Sequence, residues 1–110
     1  METIAFLENK RFEDKPQIDM MFESPTYKEI RICMAQGNLM REHTALGAIM
    51  IMVLEGSVSI ASLEENIILK AGDMMFFKEK VPHSLEAHEE SVIRLSLSKN
   101  DTFKRVIGVL

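Results

Sequence analysis

Two glycine-bounded segments decide the fold of this 110-residue chain: Gly37–Gly56 reads GNLMREHTALGAIMIMVLEG, and Gly72–His83 reads GDMMFFKEKVPH. Each combines a turn-forming glycine with a histidine and with a run of aliphatic, aromatic or methionine side chains. Short apolar runs that are bounded by turn residues are typical of β-strands. The two segments therefore predict that His43 and His83 are each positioned by a short strand.

Runs of the same kind continue on both sides of these segments, with turn signals about every eight to twelve residues, as in antiparallel sandwiches and barrels. The predicted strands cover Thr26–Ala35, Leu46–Leu54, Ser57–Ser62, Ile67–Leu69, Met74–Phe77 and Ser91–Ser98, and a further strand opens at Pro82. This pattern predicts an all-β fold, an antiparallel jelly-roll β-barrel.

The two ends of the chain differ from this central part. Residues 1–25 carry scattered apolar anchors and predict an N-terminal arm across the barrel, with room for one short strand. Residues 26–98 form the predicted barrel. Over residues 99–110 the apolar positions Phe103, Val106, Ile107 and Leu110 follow the period of an amphipathic helix. We expect this short C-terminal helix to pack on the outside of the barrel or against a neighbouring subunit.

Composition excludes several functional classes. The net charge of -4 argues against nucleic-acid binding, which needs a basic surface. Cys33 is the single cysteine, so no intrachain disulfide is possible and a reducing compartment is expected. The first residues do not read as a signal peptide. The apolar run Ala45–Leu54 is too short for a membrane-spanning helix. We therefore expect a cytoplasmic protein that binds no membrane.

The two segments resemble the paired motifs of the cupin family of small β-barrels. The first cupin motif places a His-x-His pair and a glutamate between two glycines, and the second runs from a Gly-Asp turn to a histidine. The matching positions here are Gly37, His43, Gly56, Gly72, Asp73 and His83. The resemblance covers about half of the chain and implies the cupin barrel as its fold.

The metal-binding part of the motif is incomplete. Ala45 stands at the second histidine and Ile49 at the glutamate, and neither side chain can ligate a metal. A divalent transition metal needs at least about three protein ligands to be held firmly. His43 and His83 could still form a two-imidazole half-site for zinc, nickel, iron or copper, and the protein could equally bind no metal.

Two further interpretations of the histidine pair remain open. If the stretch that follows His43 is extended, residues of equal parity share its face, so Ala45, Ile49 and Ile51 point inward with it. His43 and His83 would then be hydrogen-bonding groups in an apolar ligand-binding cavity lined by these three residues. Alternatively, one imidazole acts as a general base near neutral pH.

Three functional hypotheses follow. The first is a binding module for a small organic ligand, with at most a weak metal site at His43 and His83. The second is a metal-dependent enzyme of the dioxygenase, isomerase or decarboxylase type that the resemblance implies. The third is an accessory or regulatory protein that acts through its dimer surface and has a vestigial pocket. Arg94 bears on the ligand, because an inward-facing arginine would favour a carboxylate-bearing molecule.

The strand Leu46–Leu54 also predicts a partner. Its outward positions are apolar as well, and a strand that is apolar on both faces is covered on both faces. These positions are Leu46, Ala48, Met50, Met52 and Leu54. We therefore expect a homodimer through the outer sheet, a prediction that light scattering at micromolar protein concentration can test.

Overall fold

Within residues 1–98 and 106–108, which this computed structural model describes, the chain forms nine strands. The strands are β1 (Gln17–Glu23), β2 (Tyr27–Met34), β3 (Leu39–His43), β4 (Ile49–Glu55), β5 (Ser57–Ser62), β6 (Glu65–Lys70), β7 (Met74–Phe77), β8 (His83–Ala87) and β9 (Ser91–Ser98). They build a five-stranded sheet in the order β1-β2-β9-β4-β7 and a four-stranded sheet in the order β3-β8-β5-β6. All pairings are antiparallel. The predicted all-β jelly-roll fold is confirmed.

The core lies between the two sheets and is built by alternation along the strands. In β4, Ile49, Ile51 and Val53 are buried, while Met50 and Met52 are partly exposed on the outer face. The strand that the sequence predicts from Leu46 begins three residues later in the structure, at Ile49. The residues before it form a bend, so Leu46 and Ala48 are exposed there and do not extend the outer face of β4. The homodimer stays a prediction.

The N-terminal segment is attached to the outer face of the five-stranded sheet by one buried arginine. Arg31 of β2 donates hydrogen bonds to the carbonyl oxygens of Phe6 (3.0 Å), Glu8 (2.5 Å) and Asn9 (3.2 Å). It also forms a 2.8 Å ion pair with Asp19 of β1, and its side chain is only 4% exposed. Charge-assisted hydrogen bonds of this kind are the strong ones, so Arg31 fixes the path of the segment.

Near the C-terminus, Val106 contributes its side chain to the core. Most of the predicted helix over 99–110, including Phe103 and Leu110, lies outside the described residues, but Val106 and Ile107 are helical. Val106 is buried among core residues between the sheets, so for this residue the expected packing on the outside of the barrel is wrong. Arg41 donates a hydrogen bond to the carbonyl oxygen of Gly108 (2.9 Å) and so holds the segment at β3. Among the described residues, no helix has the length and apolar character needed to cross a membrane.

Candidate functional site

A β-bulge in β3 brings the two histidines together. Met40 pairs with Leu85 of β8, and His43 pairs directly with His83, so three steps along β3 match two steps along β8. An extra residue on one strand changes which side chains face the core beyond it. Met40 is therefore buried, the two residues that follow it are exposed, and His43 turns back toward the interior. The two imidazole rings meet edge to face, with their centroids 4.4 Å apart.

Each imidazole is oriented by its own backbone. The Nδ1 atom of His43 lies 2.7 Å from the carbonyl oxygen of Arg41, and that of His83 lies 2.9 Å from the carbonyl oxygen of Val81. Since a carbonyl oxygen can only accept, Nδ1 must carry the proton and donate it in both rings. In the neutral form Nε2 then carries the lone pair, the tautomer found in many metal-ligating histidines.

The space between the sheets at these rings is nearly filled. The interior cavity measures only about 10 Å³, which is enough for roughly one water molecule. His43, His83, Ile49, Ile51, Met40 and Val106 are among the residues that line it. Four of the five predicted ligand-binding residues therefore meet here. Ala45 is buried in the core, but it is not among the described residues that line the cavity, and its carbonyl oxygen accepts a hydrogen bond from the amide of Lys80 (2.9 Å).

The donor set around the histidines does not fit a firmly held metal ion. Among the described residues, no three His, Cys, Asp or Glu side chains are grouped so that they could share one ion. The carboxylates nearest in sequence, Glu42 and Glu86, are both exposed. Since Ile49 lines the cavity at the position of the missing ligand, the site lacks a donor where a first-row metal would need one.

A third imidazole at Ile49 is expected to create a zinc site. Histidine is close to isoleucine in volume, so Ile49→His adds a donor beside His43 and His83 with little change in packing. Zinc at about 100 times its dissociation constant stabilises the folded state by about 2.7 kcal/mol, which corresponds to roughly 10 °C in melting temperature. We expect this shift in untagged Ile49→His protein, and less than about 2 °C in the wild type.

Adding His43→Ala to the Ile49→His protein is the control, and we expect it to abolish the shift. An equal zinc-dependent shift in the wild type would contradict the prediction, because it would mean that a third ligand is already in place.

A larger depression lies beside the interior cavity, between the edge strands β6 and β7. We call it the edge groove; its volume is about 310 Å³. It is lined by Ile60, Ser62, Leu63, Glu65, Ile67, Met75, Phe76, Phe77 and Val81. Met75 of β7 is partly buried and packs against the core, whereas Ile67 of β6 is 42% exposed, and the side chains of Leu63 and Phe76 are also exposed. The groove was not predicted from the sequence, although strands β5 and β7, which contribute to its lining, were predicted.

Phe77 separates the edge groove from the histidine pair. Its ring lines the groove on one side and stacks on His83 on the other, with the ring centroids 4.7 Å apart and the planes 16° from parallel. The interior cavity lies beyond His83. His83 is therefore in direct contact with the inner wall of the groove, and His43 contacts His83.

Arg94 faces away from the interior. Its Nε donates a 2.7 Å hydrogen bond to the carboxylate of Glu29 on the outer face of the five-stranded sheet. This hydrogen bond, together with the charge of Glu29, raises the pKa of Arg94 above its ordinary value despite partial desolvation. Arg94 is therefore paired with Glu29 on the outer face. The expectation that an inward-facing Arg94 would favour a carboxylate-bearing ligand in the barrel does not apply.

A family model described as the AraC-like ligand binding domain matches residues 30–98. The fold is similar to that of an RmlC-like cupin protein from Desulfovibrio desulfuricans, with 22% identity, a TM-score of 0.81 and coverage of 89% of this chain and 96% of that chain. A cupin superfamily protein from Desulfitobacterium hafniense is 14% identical, with a TM-score of 0.75 and coverage of 88% and 98%.

A third similar structure is a variant of salicylate 1,2-dioxygenase from Pseudoaminobacter salicylatoxidans. It is 24% identical over 69% of this chain and 22% of that chain, with a TM-score of 0.65. A search of curated proteins finds no match. At these identities, the three structures show a common fold.

Proposed function

The chain belongs to the AraC-like ligand binding domain family, within the cupin superfamily, and from that premise we propose that it is a binding module that holds a small organic ligand in the edge groove. The observation that carries the proposal is that the edge groove is roomy and also shares Phe77 with the core, whereas the larger depressions of about 390 and 430 Å³ lie at Glu29 and Arg94 on the outer face of the five-stranded sheet. The edge groove offers about 310 Å³, whereas the cavity at the histidines offers about 10 Å³. Pockets for small organic molecules begin at about 300 Å³.

The lining of the edge groove supports the same function. Most of its side chains are apolar, and the exceptions are Ser62 and Glu65 at one end. Small-molecule sites commonly combine an apolar wall with a few polar groups that fix orientation. In this proposal the apolar body of the ligand packs on Ile67, Met75 and Phe77. His83 supports the site from behind by holding the ring of Phe77.

A metal-dependent enzyme is the second candidate function. The feature in its favour is the orientation of His43 and His83. Both rings donate an Nδ1–H hydrogen bond to a backbone carbonyl oxygen. Against it stands the missing third donor at Ile49. The likeness to a dioxygenase concerns the fold alone. We therefore rank the binding module first, with the histidine pair as at most a weak half-site.

A neutral fluorescent probe tests the proposed function. We expect N-phenyl-1-naphthylamine to bind with saturable fluorescence enhancement, because it is apolar and of a size suited to the groove. Ile67→Arg places a charged, bulky side chain on the groove wall, and desolvating that charge opposes binding of an apolar probe. The expected loss of affinity is at least about tenfold.

Ile68→Arg is the matched control. Ile68 is the next residue of β6, is 55% exposed and does not line the groove among the described residues. The Ile68→Arg substitution should therefore leave the affinity for the probe unchanged. Equal affinity in the wild type and Ile67→Arg, or an equal loss in both variants, would place the probe elsewhere and contradict the proposal.

A further inference from the structure

The polar character of the edge groove comes from few residues. Glu65 is the charged side chain among its described lining residues, and neither lysine nor arginine lines it. We propose that the groove selects a small organic cation, an ammonium group on an apolar body, and that Glu65 is the residue that recognises the charge. This inference rests on the proposed function, since it names the ligand class of the same site.

The position of Glu65 supports this role. It pairs with Ser62 across the β5–β6 hairpin, in the register that turns both side chains toward the groove. Within the described part of the chain, its carboxylate forms no ion pair or hydrogen bond. A carboxylate at the end of an apolar groove attracts a cation and repels an anion, and because Glu65 is exposed, salt screens both effects.

Ser62 reinforces the preference for a hydrogen-bond donor. Its hydroxyl donates a 2.5 Å hydrogen bond to the carbonyl oxygen of Pro82. A serine hydroxyl has one proton, so what remains to face a ligand is the acceptor capacity of the oxygen. Both polar side chains of the groove therefore accept hydrogen bonds. A protonated amine supplies donors and positive charge, whereas a carboxylate or a phosphate supplies neither.

The remaining lining suits the same ligand class. Phe76 and Phe77 present aromatic rings, and Met75 presents a thioether. Aromatic faces attract ammonium groups, and methionine packs readily against apolar bodies of irregular shape. The apolar end of the ligand would then lie toward Phe77, and the ammonium group toward Glu65.

Three probes that share one apolar body test the ligand class. They are 2-phenylethylammonium, 2-phenylethanol and 3-phenylpropanoate, which end in a cation, a neutral hydroxyl and an anion. Binding is followed by the NMR shifts of the methyl groups of Met75 and Ile67. We expect the cation to bind at least about fivefold tighter than the alcohol and the carboxylate to bind weakest, with the advantage of the cation falling as salt is raised.

Charge-neutralising variants assign the effect to one residue. Glu65→Gln is expected to remove the advantage of the cation and to leave the affinity for the alcohol unchanged. Glu86→Gln is the control, because it removes the same charge from an exposed position outside the groove; it should leave the order of affinities unchanged.

The outcomes separate the two proposals. If the three probes bind equally, if the carboxylate binds tightest, or if Glu65→Gln and Glu86→Gln act alike, the cation proposal is overturned and the binding module stands. If none of the probes shifts the methyl groups of the groove, both proposals are overturned.

Discussion

Replacing Gly56 with alanine is expected to lower the free energy of unfolding by about 3 kcal/mol or more, which is exceptional for the addition of one methyl group. Gly56 joins β4 to β5 with φ at +91°, a region that side chains rarely adopt. A Cβ there would lie 2.2 Å from Oγ of Ser91, 2.4 Å from the carbonyl oxygen of Glu90 and 2.7 Å from Cα of Ser91. Two of these atoms are backbone, so rotating a side chain cannot relieve the clash.

The clash would also disturb the start of β5. Ser91 is fully buried, and its Oγ accepts a hydrogen bond from the amide of Ser57 (3.1 Å) and donates one to the carbonyl oxygen of Glu89 (2.8 Å). Moving Ser91 to make room would strain or break these bonds. The cost of Gly56→Ala therefore combines backbone strain with lost hydrogen bonds.

Gly37→Ala is the matched control. Gly37 also has a positive φ, +86°, but a Cβ at this position meets no atom within 4 Å. Its substitution should cost only the conformational strain, about 1 kcal/mol. Urea unfolding followed by circular dichroism measures both variants. Similar losses for Gly37→Ala and Gly56→Ala would show that close approach to Ser91 is not what requires the glycine.

The sequence was sufficient to predict the barrel, because its strands and turns are local features. Turn glycines at Gly37, Gly56 and Gly72 have positive φ values in the structure, as tight connections require. Most of the strand runs stand out as β-compatible side chains between turn residues. The resemblance to the cupin motifs then related His43 and His83, which no local pattern could do.

The detailed lining of the site could not be predicted, because strand parity holds only within a continuous strand. The argument that placed Ala45 and Ile49 on the face of His43 assumed one extended segment. In the structure β3 ends at His43, a bend follows, and β4 begins at Ile49. Ile49 nevertheless returns to the cavity, whereas Ala45 does not line it. The β-bulge that turns His43 inward depends on pairing with β8, which has no signal in β3 itself.

Cavity volume is likewise invisible to a sequence pattern. Alternation says which side chains face the core, but not how closely they pack. Val106 comes from the far end of the chain and lies in the space beside the histidines. The edge groove exists because β6 and β7 end their respective sheets and leave Ile67 and Met75 incompletely covered. The filled cavity and the open groove both result from tertiary packing. For this reason the ligand cavity that the sequence predicts at the histidines is not where the structure has the larger groove.

Arg31→Ala is expected to destabilise the protein by about 3 kcal/mol, because removing a buried, hydrogen-bonded charged group leaves its hydrogen-bond partners unsatisfied. The partners that would be lost are the carbonyl oxygens of three residues in the N-terminal segment and the carboxylate of Asp19. The segment should then separate from the outer face of the five-stranded sheet before the barrel unfolds. Trypsin cleavage after Lys10, which lies in this segment, should become much faster than in the wild type.

Arg11→Ala provides the control, because Arg11 pairs with the same carboxylate, that of Asp19, at 3.0 Å. Its side chain is 53% exposed, however, whereas that of Arg31 is 4% exposed. An exposed ion pair contributes at most about 1 kcal/mol, so Arg11→Ala should change the stability little and leave the cleavage after Lys10 slow. Equal effects of the two substitutions would mean that Asp19 alone anchors the segment. Unequal effects in the expected order would assign the anchoring to the backbone carbonyl groups that bind Arg31 and that, among the described hydrogen bonds, Arg11 does not reach.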